Sequence, residues 1–460
     1  MAGIGFALRN LTQRDDLIGV IGAYSFSTLI SSGPWLFTIL CLAGINFFLS
    51  DWVDANVITI FRIVLIYNFA FSLVLSSSLI LVTTRYVADL LFQRSITSVP
   101  SVLVISLTLV YVIGLLTAVP FYLMFTDFPM SLKIIAIINY LMISGIWVAA
   151  IFITAVKDYN TYTLMFGVGM LVALISSFLL GPKYGAEGML IGFNFGLMLI
   201  MFSIIARIFT EYPAKLVWPH NYFSYFGKYW ELLISGLAIN CAVWIDKWIM
   251  WLAPDHDVVS GLMMYHPDYD GAMFLAYLAL IPSMAYFLLS TETGLLEKYH
   301  SYFHDIKHHA NYQRIEKNHH AILRYIVISF RRTLALQLMV VMILLIWAPQ
   351  FIALLGGKYI QLSIFRLGVL GVFFHGLIIF LSTLLAYFDL RRLTIMIQVL
   401  FLSLNGGLTF VSVKLGFAFY GYGYFLACLF TFVVAFFVSA RAFLNLPYLT
   451  FIKNNPSLPK

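Results

Sequence analysis

Charge is scarce in this chain. Only 10% of its 460 residues are Asp, Glu, Lys or Arg, where a soluble domain carries about 25%. That scarcity excludes a water-solvated globule for most of the sequence. Cysteine is also rare. Cys41, Cys241 and Cys428 lie far apart with no CxxC or zinc spacing, which excludes a disulfide framework or a thiolate metal site. They read as small buried hydrophobes. Enzyme signatures are missing too: no Walker motif, no Ser-His-Asp order, no glycine-rich phosphate loop and no HExxH pair. No catalytic residue, cofactor or metal is therefore expected. Met1–Asp16 is too polar for the apolar region of a cleaved signal, and the run after it is long enough to span a bilayer.

What fills the chain is apolar: 62% of residues are hydrophobic and 17% aromatic. Each spanning helix needs about 20 apolar residues. The hydropathy pattern predicts twelve, at 20–48, 57–84, 99–125, 132–155, 162–180, 188–210, 232–253, 272–290, 333–355, 362–388, 393–414 and 417–444. The expected fold class is all-α, a polytopic membrane protein in two six-helix lobes.

The expected organisation is an interfacial N-terminal helix (1–19), a first lobe of spans one to six (20–210) and a connector (211–231). Spans seven and eight (232–290), a basic His-rich segment (291–332), spans nine to twelve (333–445) and a tail (446–460) follow. Ile4, Leu8 and Leu11 give the first segment one apolar face. The segment around Glu297–Arg332 has the composition of a helical hairpin or docking helix.

The charges that remain are distributed unevenly. With the N-terminus inside, twenty of the 27 Lys and Arg fall on the inner side and only Lys133, Lys183, Lys358 and Lys414 on the outer. This is the positive-inside pattern, and it places both termini in the cytoplasm. The net charge of +7 is thus a topology signal. The basic residues form no soluble patch, so no nucleic-acid partner is expected.

Three cations remain, inside spans: Arg62, Lys247 and Arg366. A cation in a span costs roughly 2.5–3.5 kcal/mol on insertion scales and usually faces a protein interior or a water path. The alternative is snorkelling to the interface. Each sits four to six residues from the outer end of its span, so the three are expected at similar depth, as a cationic lining of a substrate path. Asp246 adjoins Lys247. Sequence neighbours diverge on a helix, so one charge is expected to face the path while the other pairs elsewhere; a coupling role for Asp246 and a structural ion pair are both open.

Ser31-Ser32-Gly33-Pro34 predicts a kink in the first span, since Pro removes an i−4 hydrogen bond and Gly and Ser beside it ease bending. Pro282 predicts the same in span eight. Tyr24, Trp35, Tyr67 and Tyr286 fall within spans, where rings facing water stack on sugar faces; belt or core packing is the alternative. His304, Lys307, Arg314 and Lys317 are the expected partner-docking residues of the polar segment. His375 reads as a lone, hydrogen-bonded core histidine.

The chain resembles the PelG exopolysaccharide transporter family. The resemblance runs from Met1 to about Leu446. It rests on Met1-Ala2-Gly3-Ile4-Gly5-Phe6, on Ile30-Ser31-Ser32-Gly33-Pro34-Trp35-Leu36-Phe37-Thr38 and on Leu296-Glu297-Lys298-Tyr299, with the long basic segment after span eight.

This resemblance implies the polysaccharide-transporter branch of the MOP flippase superfamily, with MATE-like lobes around a central cavity. It implies export of a Pel-like polymer rich in N-acetylated amino sugars across the bacterial inner membrane, for a biofilm matrix. The implied partners are a cytoplasmic glycosyltransferase, a cyclic-di-GMP receptor and a further membrane subunit, besides the lipid bilayer. The family contributes no catalytic motif, so the path residues above come from this sequence alone. Related lipid-linked oligosaccharide flippases hold a pyrophosphate on cavity cations; a Pel-like polymer need not carry one, and the cations then meet hydroxyls and acetyl carbonyls. The other readings are a non-transporting scaffold for the glycosyltransferase, a lipid-linked oligosaccharide flippase, and a small-molecule antiporter of the same superfamily.

Overall fold

The computed structural model describes residues 17–156, 158–212, 217–219, 221–354 and 357–453. The expected interfacial helix at 1–19 falls largely outside them, as do 213–216 of the connector and 454–460 of the tail. The chain is helical almost throughout. The principal helices of its first part are α1 Leu17–Leu49, α2 Ala55–Phe92, α3 Val99–Phe125, α4 Met130–Val156, α5 Tyr159–Glu211 and α6 Trp230–Met250. A two-stranded antiparallel hairpin follows, β1 Asp257–Ser260 and β2 Met263–Tyr265. Then come α7 Pro267–Tyr277, α8 Ile281–Ser290, α9 Leu296–Lys307, α10 Tyr312–Ile346, α11 Gln361–Tyr387, α12 Arg391–Leu415 and α13 Tyr422–Leu444.

Among the described residues, eleven helical stretches are long and apolar enough to cross a membrane. One of them, α5, has 53 residues, about 80 Å at 1.5 Å per residue, enough to cross twice. Gly185 explains it. Its φ of 59° and ψ of −138° break the helical path in a region that only glycine enters freely. The two legs then pack on each other: Ser177 Oγ donates to the Met189 carbonyl at 2.9 Å, and Gly192 lies against the Ser177 backbone, where a Cβ would overlap. The eleven stretches therefore contain the twelve expected crossings.

Proline acts differently at its two sites. α1 continues through Pro34, and Thr38 Oγ1 caps the Pro34 carbonyl at 2.8 Å; the cost is the single bond that Pro34 cannot donate to Ile30. Around Pro282 the span is assembled from pieces. A 3₁₀ segment, Leu278–Leu280, precedes α8, and a π-turn, Thr291–Leu295, follows it. Pro282 occupies the first turn of α8, where a missing N–H costs nothing.

The chain forms two compact units, residues 1–31 with 268–460, and residues 32–267. The division falls later than expected. The connector does not separate the lobes, and span seven (α6) packs with the first. Side chains show why. Tyr222, on the short helix Tyr222–Lys228, is fully buried with its hydroxyl between Thr83 Oγ1 at 2.7 Å and Ser106 Oγ at 2.8 Å. Tyr225 donates to Asp89 at 3.1 Å; burial and the Asp89 carboxylate push its phenol up to about 12. Gly236 of α6 then meets the Ser77 backbone of α2 so closely that a Cβ would overlap. Small residues permit such approach between membrane helices. At the other end of the chain, the unit boundary in α1 falls between Ser31 and Ser32, inside the motif that ends on Pro34.

Candidate functional site

The polar interior of residues 32–267 centres on three asparagines from three helices. Asn68 Nδ2 donates to Asn139 Oδ1 at 2.8 Å and to the Ala136 carbonyl at 3.0 Å. Asn139 Nδ2 donates to Asn194 Oδ1 at 2.6 Å, and Asn194 Nδ2 to the Ile135 carbonyl at 3.3 Å. Tyr122 Oη donates to Asn68 Oδ1 at 2.7 Å. Asn68, Asn139 and Tyr122 are 1% exposed or less. One chain of bonds thus ties α2, α3, α4 and the second leg of α5. Sequence reasoning passed over it. The signal was there: each asparagine stands alone in an apolar span, where an unsatisfied amide is expensive.

The cations divide. Lys247 is buried, and its Nζ lies 3.1 and 3.2 Å from the two oxygens of Asp246, 3.0 Å from the Val243 carbonyl and 5.9 Å from the Trp244 ring. The expectation that one charge faces a path while the other pairs elsewhere is corrected: the two pair with each other. Their Cβ atoms do diverge, but the four-carbon lysine stem folds back one turn and brings the ammonium over its neighbour. The expected common depth is also corrected. Trp248 stacks on Phe71 (5.1 Å, 3°), which puts Lys247 at the level of Phe71 on α2. Arg62 is nine residues away on that helix, about 13 Å. Arg62 and Arg366 are exposed. Arg366 belongs to the other unit, one residue before Leu367, which packs on Gly421 at the start of α13.

Tyr67 has a structural occupation. Its hydroxyl donates to the Met264 carbonyl at 2.7 Å and accepts from the Met264 N–H at 2.9 Å, while its ring stacks on Trp251 (4.6 Å, 12°). The β-hairpin is thereby seated on α2 and the end of α3. The Leu262 N–H donates to the Phe125 carbonyl at 2.8 Å, and the Asp127 N–H to Ser260 Oγ at 2.8 Å. Gly261, φ 56°, lets the turn approach Phe125. This hairpin lies between the seventh and eighth expected spans. Trp35 is 39% exposed, and Gly33 beside it is buried.

In the second unit Tyr24 stacks on Tyr286 (6.4 Å, 20°). His375 is buried with Nδ1 2.9 Å from Tyr424 Oη, the hydrogen-bonded histidine expected. Glu292, assigned by sequence to the polar segment, is instead 5% exposed in the π-turn, where Tyr387 donates to it at 3.2 Å. Beyond it α9 and the start of α10 form a helical hairpin. His304, Lys307, Arg314 and Lys317 are all exposed on it. Arg314 Nε also reaches buried Asp305 at 2.7 Å, and His319 Nε2 lies 2.9 Å from the Phe443 carbonyl, anchoring the hairpin to α13.

Asp158, between α4 and α5, caps α5 through the Thr161 N–H (3.2 Å) and pairs with Arg207 Nε (2.9 Å). Burial alone would raise its pKa; the Arg207 guanidinium and the Thr161 donors outweigh that and hold it below the usual carboxylate value. A carboxylate depressed by folding stabilises above its unfolded value, about pH 4, and that contribution is lost as pH falls through the folded value. Asp158→Asn is therefore expected to flatten the loss of thermal stability below about pH 4, measured as unfolding midpoints in detergent across the acid range.

The PelG exopolysaccharide exporter (EPS-E) family matches residues 1–451. Comparison with curated proteins gives no match. Among solved structures, an outward-facing multidrug-resistance MATE transporter of the MOP superfamily superposes with a TM-score of 0.66 at 14% identity, over 97% of this chain and 99% of that one. A MOP superfamily transporter from Pyrococcus furiosus, described as having a binding pocket of reverse polarity, gives 0.63 at 13% identity over the same shares. At such identity the likeness establishes the fold alone. With helices long and apolar enough to cross a membrane and a family match over residues 1–451, the chain belongs to the PelG exopolysaccharide exporter family.

Proposed function

We propose that this protein translocates an exopolysaccharide, a Pel-like polymer rich in amino sugars, across the bacterial inner membrane during export of a biofilm matrix. The observation that carries this reading is the family match over residues 1–451; the transporter fold supports it. The excess of Lys and Arg on one side of the spans supports a multi-pass inner-membrane location with both termini cytoplasmic. Arg62 and Arg366 are the path residues of this proposal: exposed guanidinium forks suited to sugar hydroxyls and acetyl carbonyls. Tyr24, Tyr286 and Trp35 supply rings for sugar faces, and Gly33-Pro34 a point of flexure. Lys247 and Asp246 enter as an ion pair inside one unit.

Export assays test this. Arg62→Ala with Arg366→Ala is expected to abolish polymer export while membrane levels of the protein stay unchanged. Normal export by the double variant would remove the guanidinium groups from the path.

The exposed hairpin favours a second role alongside transport. Its histidines and basic residues form a face on which a cytoplasmic glycosyltransferase would dock, with a cyclic-di-GMP receptor and a further membrane subunit completing the complex. Deleting 304–320 is expected to release the glycosyltransferase from the membrane. Its retention would place docking elsewhere.

A further inference from the structure

The face proposed for docking holds a second feature, a row of histidines on one helix. His300, His304 and His308 follow one another at i, i+4 and i+8 along α9 and its C-cap, all exposed. The rings of His304 and His308 are 4.2 Å apart between centroids, tilted by 40°. Two imidazoles that bind one ion through nitrogens at about 2.0–2.1 Å, with an angle at the metal between about 90° and 109°, have centroids roughly 4.5–5 Å apart. The observed pair is within a small side-chain rotation of that, and at 65% side-chain exposure His304 has room to make it.

A second observation points the same way. His304 Nδ1 faces Asp305 Oδ1 at 3.7 Å, an ion-pair distance longer than a hydrogen bond. Asp305 is 4% exposed and fixed from behind by Arg314 Nε at 2.7 Å and Asn318 Nδ2 at 2.8 Å. At 3.7 Å the two are not hydrogen-bonded; a small rotation of the exposed His304 ring would close the gap, and a carboxylate bonded to Nδ1 would then fix the tautomer and leave Nε2 for the ion.

We propose that His304 and His308 form a two-histidine site for a late divalent transition-metal ion at the turn of this hairpin. Neutral imidazole suits copper, nickel and zinc, and Cu²⁺ binds such sites most tightly in the divalent series. Among the described residues no group of three or more His, Cys, Asp or Glu is arranged around one point. The remaining coordination positions therefore go to water or to an exchangeable ligand. Bound metal would clip the last turn of α9 to its cap.

The test uses full-length, tag-free protein in nanodiscs, titrated with Cu²⁺ by calorimetry and read by the nitrogen couplings in its electron paramagnetic resonance spectrum. One ion per chain with two imidazole nitrogens is expected. His304→Ala and His308→Ala should each weaken binding at least about tenfold, and Asp305→Asn by roughly that factor, as loss of an outer-shell partner does. His320→Ala should leave binding unchanged. Chemical modification of histidine in the wild-type chain, with and without Cu²⁺, needs no variant: protection should fall on His304 and His308. Unchanged affinity in both alanine variants, or protection confined to other histidines, overturns the site.

Discussion

Asp246→Ala is expected to lower stability more than any other single change to the candidate residues. It leaves the Lys247 ammonium without its carboxylate in a position only 8% exposed. Removing one member of a buried pair costs about 3–5 kcal/mol, because the remaining charge stays desolvated. Replacing both is a different matter: apolar residues of similar volume are often neutral or stabilising. Asp246→Leu with Lys247→Met is therefore expected to recover most of what Asp246→Ala loses. Unfolding midpoints in detergent for the two single variants and the double form a cycle that isolates the coupling. Additive losses would show that the two charges are held by other groups. The double variant also separates fold from function. If it is stable and exports normally, the pair serves packing; if it is stable and inert, the charges themselves take part in transport.

The spans were legible because a run of about 20 apolar residues has no stable alternative to a membrane helix. The positive-inside count supported twelve of them, and the break at Gly185 falls between the fifth and sixth. The pairing of side chains was not legible, for reasons that differ by residue. At Asp246 and Lys247 a sound rule about helix geometry failed, since it describes Cβ directions and not the reach of a four-carbon stem. At Tyr67 the sequence offers a ring in a span, and nothing local tells a sugar platform from a hydroxyl that holds a strand 197 residues away. The unit boundary was hidden in the connector. Its prolines and aromatics read as a linker, yet Tyr222 and Tyr225 are anchored on α2, which keeps α6 with the first unit. Depth was misread at Lys247, because the end of α6 meets α2 at Tyr67 and Phe71, well inside the end of that helix.

Asn68→Leu is expected to produce the second large loss. Asn68 bonds both Tyr122 Oη and Asn139 Oδ1. With leucine there, the Tyr122 hydroxyl loses its acceptor and Asn139 Oδ1 its donor, both fully or almost fully buried. Each buried group left unsatisfied costs about 1–3 kcal/mol, although interhelical bonds measured in membrane proteins average nearer about 0.6 kcal/mol. The network should exceed that average, because α2, α3, α4 and α5 meet in it and Asn68 and Asn139 are fully or almost fully buried. Asn139→Leu should cost as much, by orphaning Asn68 and Asn194 at once. The two together should cost clearly less than their sum, because the second substitution removes a group the first has already left without its partner. Thermal unfolding of the three variants measures this. Strict additivity would mean that the asparagines act separately, and the four helices would then owe their register to apolar packing alone.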